Sequence, residues 1–158
     1  MITIDFHTLS ACIAEAIRSY PSEGCGFLLG PQMGVADQFI AVTNRQDELH
    51  AEDPVRFPRT SATAYSIDPK SQQTIFIAAK AERRAVTAIF HSHPDHDAYF
   101  SAEDKTNAAP WGEPLLPGLA YLVVSVYNGK LKEVKQFFWN PDTSDFDEAL
   151  VTTTTDNP

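Results

Sequence analysis

The chain has 158 residues, 43% of them hydrophobic, with a formal net charge of −9. That length and apolar fraction suit one domain with a core of ordinary size, and no apolar run approaches the roughly 20 residues that span a bilayer. The acidic balance excludes nucleic acid and anionic membrane as main partners, because both are gripped through basic patches.

In chain order, Met1-Ile2-Thr3-Ile4-Asp5 shows neither the basic stretch nor the cleavage pattern of a signal peptide, so a cytoplasmic protein is expected. Leu9, Cys12, Ile13, Ala16 and Ile17 recur at helical spacing, which predicts an amphipathic helix over 9–17, stopped by Pro21. Cys12 and Cys25 form no Cys-x-x-Cys pair and read as reduced core residues. Gly24-Cys25-Gly26-Phe27-Leu28-Leu29-Gly30 is an apolar run bracketed by glycines, read as a buried strand. A turn at 30–34 leads to a second strand over 35–43, giving a hairpin.

Residues 44–59 are polar, with Pro54 and Pro58, and read as a long loop of the functional or mobile kind. His50, inside its acidic run, reads as solvated. A short strand is expected over 63–67. Asp68-Pro69 supplies an N-cap and a first-turn proline for a helix reaching about residue 84. Val86-Thr87-Ala88-Ile89-Phe90-His91-Ser92-His93 has the most strand-like composition of the chain. Ser101 opens a short helix, and 111–118 is a loop rich in proline and glycine. Strands over 119–127 and 130–139 meet at Asn128-Gly129, a strong hairpin signal. Residues 1–140 form the expected domain. The remainder, 141–158, lacks Lys and Arg, carries five acidic residues and a Thr run, and is expected to be a mobile tail. The expected fold is an α/β (α+β) domain with a curved mixed sheet flanked by helices on both sides.

Chemistry concentrates in residues 91–104. Residues two apart on a strand share a face, so His91 and His93 project together while Ser92 points away. Pro94 ends the strand. Ser101-Ala102-Glu103-Asp104 has the shape of a helix N-terminus whose first turn can swing a carboxylate back toward the histidines. Two imidazoles and one carboxylate make a plausible zinc set with an open fourth position for water. The same Ser-x-x-Asp pattern also describes a capping box, and the two roles are compatible. Asp95, His96 and Asp97 either orient a ligand imidazole or form a solvated turn.

The run His91-Ser92-His93-Pro94, six residues, Ser101, two residues, Asp104 resembles the JAMM signature of the MPN-plus metalloproteases, His-x-His-Pro-x6-Ser-x2-Asp. The resemblance spans about 2–139 and implies a three-layer fold of the MPN and cytidine-deaminase type. It implies one zinc ion with a bound water, His91, His93 and Asp104 as ligands, and Ser101 as donor to the oxyanion. The family also carries an upstream glutamate at the start of a strand. Ser22-Glu23-Gly24-Cys25-Gly26-Phe27-Leu28-Leu29-Gly30 looks like that segment, which makes Glu23 the general base and acid. The stretch after Asp104 leaves little room for the insertion with which eukaryotic deubiquitinating relatives grip ubiquitin. The chain therefore looks like the compact bacterial branch, similar to peptidases and isopeptidases that trim ubiquitin-like sulfur-carrier proteins at or after a C-terminal Gly-Gly. The chain itself is expected to be a monomer or a homodimer.

Other readings meet the same residues. A zinc amidohydrolase acting on a small-molecule or natural-product amide would use an identical site. A non-catalytic MPN scaffold would typically have lost a ligand, and all are retained. A zinc deaminase needs His-x-Glu and Pro-Cys-x-x-Cys, which are absent.

Overall fold

In the computed structural model, which describes residues 1–154, the strand carrying the two histidines lies in the interior of the sheet. The chain runs β1 (Thr3–Asp5), α1 (Phe6–Ser19), β2 (Cys25–Gly30), β3 (Val35–Ala36), β4 (Gln38–Val42), α2 (Gln46–Glu52), α3 (Pro69–Ala81), β5 (Ala85–Pro94), α4 (Ala102–Ala108), β6 (Ala120–Tyr127), β7 (Lys130–Asn140), β8 (Asp145–Leu150) and β9 (Thr152–Thr154). The described residues form a six-stranded sheet in the order β4-β2-β5-β6-β7-β8 and a three-stranded sheet in the order β3-β1-β9. In the larger sheet β5 and β6 are parallel and the other neighbours antiparallel. The expected mixed sheet flanked by helices is what forms.

Period-two alternation divides the core. Leu28, Ala88, Phe90, Leu122, Val124 and Val126 meet Cys12 and Ala16 of α1 on one face. Phe27, Ile89, Tyr121 and Val123 pack with Ala79 of α3 and Ala108 of α4 on the other. His91 and His93 continue the parity of Ile89, so they emerge on the α3 and α4 side. A parallel pair such as β5–β6 needs a crossover connection. That crossover carries α4, and it brings the helix start back to the end of β5 where the histidines sit.

Local signals explain the elements. Asp5 caps α1 by accepting from His7 N and Thr8 N. Asp68 caps α3, and Pro69 occupies its first turn. Asn128 and Gly129 both take positive φ, 49° and 73°, as a two-residue turn between β6 and β7 requires. A Cβ at Gly30 would stand 1.7 Å from Val35 O, so only glycine permits that approach.

Four expectations are corrected. The strand expected over 35–43 breaks at Asp37; β3 leaves to pair with β1, and only β4 pairs with β2. The loop expected over 44–59 contains α2, with Asp47 and Glu48 in its first turn, where acids suit the helix dipole. Residues 63–67 form no strand. Asn44 supplies partners that a neighbouring strand would have supplied, donating to Ala64 O and accepting from Ser66 N. The tail expected over 141–158 is paired as far as Thr154: β8 lines β7 and β9 lines β1. Its acidic composition is outweighed by Phe146, buried against Phe100, Tyr121 and Trp139. Residues 155–158 lie outside the described residues. Among those described, no helix is long and apolar enough to cross a membrane.

Candidate active site

Three side chains converge at the end of β5. His91 Nε2 lies 3.2 Å from His93 Nε2 and 3.5 Å from Asp104 Oδ1. His93 Nε2 stands 4.0 Å from Asp104 Oδ2. One ligand atom from each residue lies within 4.8 Å of the others. A tetrahedral zinc ion with bonds of 2.0–2.2 Å needs ligand atoms about 3.3–3.6 Å apart, so the triangle has close to the right size. His93 Nδ1 is 2.8 Å from Asp97 O. A carbonyl only accepts, so Nδ1 carries the proton and Nε2 turns a lone pair into the cluster. His91 is fully buried and stacks on Tyr65 at 4.6 Å between ring centroids. Three donor atoms facing one another at these distances form a set that fits a metal ion.

Asp104 serves the helix and the cluster at once. Ser101 Oγ accepts from Asp104 N at 3.0 Å, and Ser101 N donates to Asp104 Oδ2 at 2.8 Å, a complete capping box. Ser101 Oγ also lies 2.6 Å from the same oxygen. This leaves Oδ1 facing His91, so the cap sets the carboxylate's orientation. Burial alone would raise the Asp104 pKa, but the charge of His91 and the Ser101 bonds hold it well below the usual carboxylate range. Burial pushes His93 down to about 4, with the charge of His91 acting in the same sense. For His91 the burial penalty is outweighed by Asp104, and its pKa is raised.

Glu23 reaches the cluster from the segment just before β2. Ser92, on the opposite face of β5 from the histidines, accepts from Gly24 N at 2.8 Å, and Ser92 N donates to Gly24 O. With Cys25 opposite His91 in the register, these bonds set Glu23 beside the histidines. Its backbone N donates to Ser61 O at 2.7 Å, and its carbonyl accepts from Asn44 Nδ2 at 3.0 Å. The side chain is buried, and burial pushes its pKa up to about 8; the charge of His91 opposes that shift and Asp104 adds to it.

Glu23, His93, Ser101 and Asp104 line one pocket of about 320 Å³, with Arg59, residues 62–65, His96, Tyr99 and Glu103 around them. The expected ligand and catalytic residues are therefore brought together. The neighbouring acids are not: Asp95 accepts from Tyr20 Oη and Asn128 N, and Asp97 meets Tyr127 and Lys132. Asp97 orients His93 through its backbone carbonyl, not its carboxylate. His50 does not line the pocket, and its Nδ1 lies 2.7 Å from Phe57 O. Sequence reading missed the wall at 59–65 and its supports. Gln46 Nε2 donates to Arg59 O, and the Asp47 carboxylate accepts from Ser61 N and Ser61 Oγ. The length of the polar stretch was its only signal.

Residues 7–141 match the family described as prokaryotic homologs of the JAB domain. The chain is 25% identical over 137 residues, 87% of its length, to the CysO-cysteine peptidase of Mycobacterium tuberculosis (strain ATCC 25618 / H37Rv), covering 82% of that protein. The solution structure of protein DSY2949 from Desulfitobacterium hafniense superposes with a TM-score of 0.73 at 26% identity, covering 99% of this chain and 94% of that one. A structure described as a JAMM metalloprotease-like zinc site in the proteasome and signalosome gives a TM-score of 0.51 at 15% identity, over 98% and 99% of the two chains, which shows the shared fold.

Proposed function

The chain belongs to the family of prokaryotic homologs of the JAB domain, and from that premise we propose that it is a cytoplasmic zinc peptidase acting at the C-terminal Gly-Gly of a ubiquitin-like sulfur-carrier protein. The observation that carries this reading is the convergence of His91, His93, Asp104 and Glu23 at the end of β5. The substrate follows the likeness to a protein named CysO-cysteine peptidase.

His91, His93 and Asp104 would hold the metal. A zinc ion held by them would supply Lewis-acid chemistry, activating water and polarising the scissile carbonyl. Glu23 accepts one proton from the attacking water, whose oxygen adds to the carbonyl carbon of the terminal glycine. Glu23 then returns that proton to the amide nitrogen as the C–N bond breaks, and the second proton of the water passes to the released amine, leaving a carboxylate on the carrier and an ammonium group. The Ser101 hydroxyl, held at the helix start, turns from Asp104 to the developing oxyanion. The neutral state that burial favours in Glu23 suits the donating half of this cycle, and a nearby cation favours the accepting half.

The reading is tested by incubating wild type and Glu23→Ala with several carrier proteins extended past Gly-Gly and reading product masses. Loss of the extension with wild type alone is expected. No cleavage of any carrier would sink the carrier reading and favour a small-molecule amide as substrate.

A further inference from the structure

Resting on the zinc reading of the site, we infer that Glu133 is a positioning residue for the metal centre: it grips the Asp97–Ala98 peptide, and through that peptide it aims and strengthens His93 as a ligand.

His93 is paired with Ser125 in β6, and Ser125 with Glu133 in β7. Residues directly opposite one another share a face, so the three side chains stand in one row on the α3 and α4 side of the sheet. Residues 95–99 fold back over that row. Asp95 N donates to Val126 O at 2.8 Å, and the buried Ser125 donates from Oγ to His96 O at 2.5 Å. Ala98 N then donates to Glu133 Oε1 at 2.9 Å, while Asp97 O faces His93 Nδ1 at 2.8 Å.

Asp97 O and Ala98 N belong to one peptide unit. In a trans peptide the C=O and N–H point in opposite directions. A carboxylate on the N–H side therefore aims the carbonyl at the imidazole on the other. Glu133 and His93 lie two strands apart, about 10 Å at the usual strand spacing, and one peptide with a hydrogen bond at each end spans that gap. The arrangement is a carboxylate–histidine pair of the kind that steadies metal ligands, with a peptide inserted between the two. A charged acceptor on the N–H polarises the peptide and makes its carbonyl the stronger partner for Nδ1–H. That in turn makes Nε2 the better electron donor to a metal.

Ala98 is fully buried. Without Glu133 its N–H would lack a partner, and rotating the peptide to find one would carry Asp97 O away from His93. Tyr99 N also donates to Asp97 O, at 3.0 Å, but that bond acts on the carbonyl side and leaves the N–H to Glu133. The competing view makes Glu133 a charge partner of Lys135. Lys135 Nζ stands 4.0 Å from Glu133 Oε2 but 2.9 Å from Glu148 Oε1, so its nearer partner is Glu148.

The test measures zinc affinity by competition with a chromogenic chelator, and the protonated nitrogen of His93 by nitrogen NMR of the metal-free protein at neutral pH. Wild type should carry the His93 proton on Nδ1. Glu133→Ala should bind zinc about 10- to 100-fold more weakly and shift the His93 proton toward Nε2. Glu133→Gln keeps an acceptor at the same place and should recover most of both. Lys135→Ala removes the charge partner alone and should match wild type in both. Glu133→Ala with wild-type zinc affinity and an unchanged His93 overturns the inference, as does a Lys135→Ala variant that weakens zinc as much as Glu133→Ala. If wild type takes up no zinc, the zinc reading fails by itself, and the His93 measurement, made without metal, still decides whether Glu133 aims His93.

Discussion

The pocket has two walls, and they are built differently. One wall, 91–104, carries the candidate ligands on regular structure: a strand end, a proline stop and a helix cap. The other, 59–65, has no regular structure and is held by side chains bonding to backbone. Asn44, Gln46 and Asp47 reach across to Arg59, Ser61, Ala64 and Ser66. The contrast teaches a division of labour. A metal set tolerates errors of only a few tenths of an ångström, and strands and helix caps supply that rigidity from local geometry. A recognition surface has to fit one substrate, and a wall tied by individual hydrogen bonds can vary without disturbing the metal set.

The sharpest way to break the comparison is Asp104→Ala. It should cut bound zinc from about one per chain to near zero by metal analysis, and activity by more than about a thousandfold. It should also cost about 1 kcal/mol of stability through the lost cap. Full zinc content in this variant would show that the first wall is not the metal wall.

Glu23→Gln comes next, with kcat lowered about 10²- to 10⁴-fold and zinc retained. Its pH signature is separate. The pKa of Glu23 is raised from 4.5 to about 8, so the metal-free folded protein keeps a proton that the unfolded chain has released. The stability this contributes is full below pH 4.5 and is lost as pH rises to 8. Metal-free Glu23→Gln should therefore melt above metal-free wild type at pH 9, by roughly 5 °C, and the gap should close by pH 4.5. A gap that does not vary with pH would contradict the buried acid.

Ser101→Ala should lower kcat about a hundredfold and cost about 1 kcal/mol of stability by thermal melting, because one hydroxyl serves both the oxyanion and the cap. A stability loss with unchanged kcat would leave Ser101 as a cap alone. The smallest effects belong to the second wall. Asn44→Ala or Asp47→Ala should raise KM several-fold and cost roughly 1–2 kcal/mol, while zinc content stays within about a factor of two. Zinc loss in either variant would mean that the walls are not independent.

The sequence by itself determined what depends on neighbours along the chain. Alternation in 86–93 put His91 and His93 on one face, Ser101 and Asp104 lay at capping distance, and Asn128-Gly129 set the hairpin. These are short-range rules of period and turn chemistry, and the tertiary structure repeats them. Glu23 was visible only through resemblance to a family, because nothing local distinguishes a buried acid from a solvated one. Only the tertiary structure decided the rest. Phe146 finds its aromatic partners across the sheet, which turns an acidic stretch into β8 and leads on to β9 beside β1. Asn44, a polar residue after a strand, becomes the tie that shapes the 59–65 wall. Burial and long-range hydrogen bonding are properties of places in the fold, and no spacing along the chain encodes them.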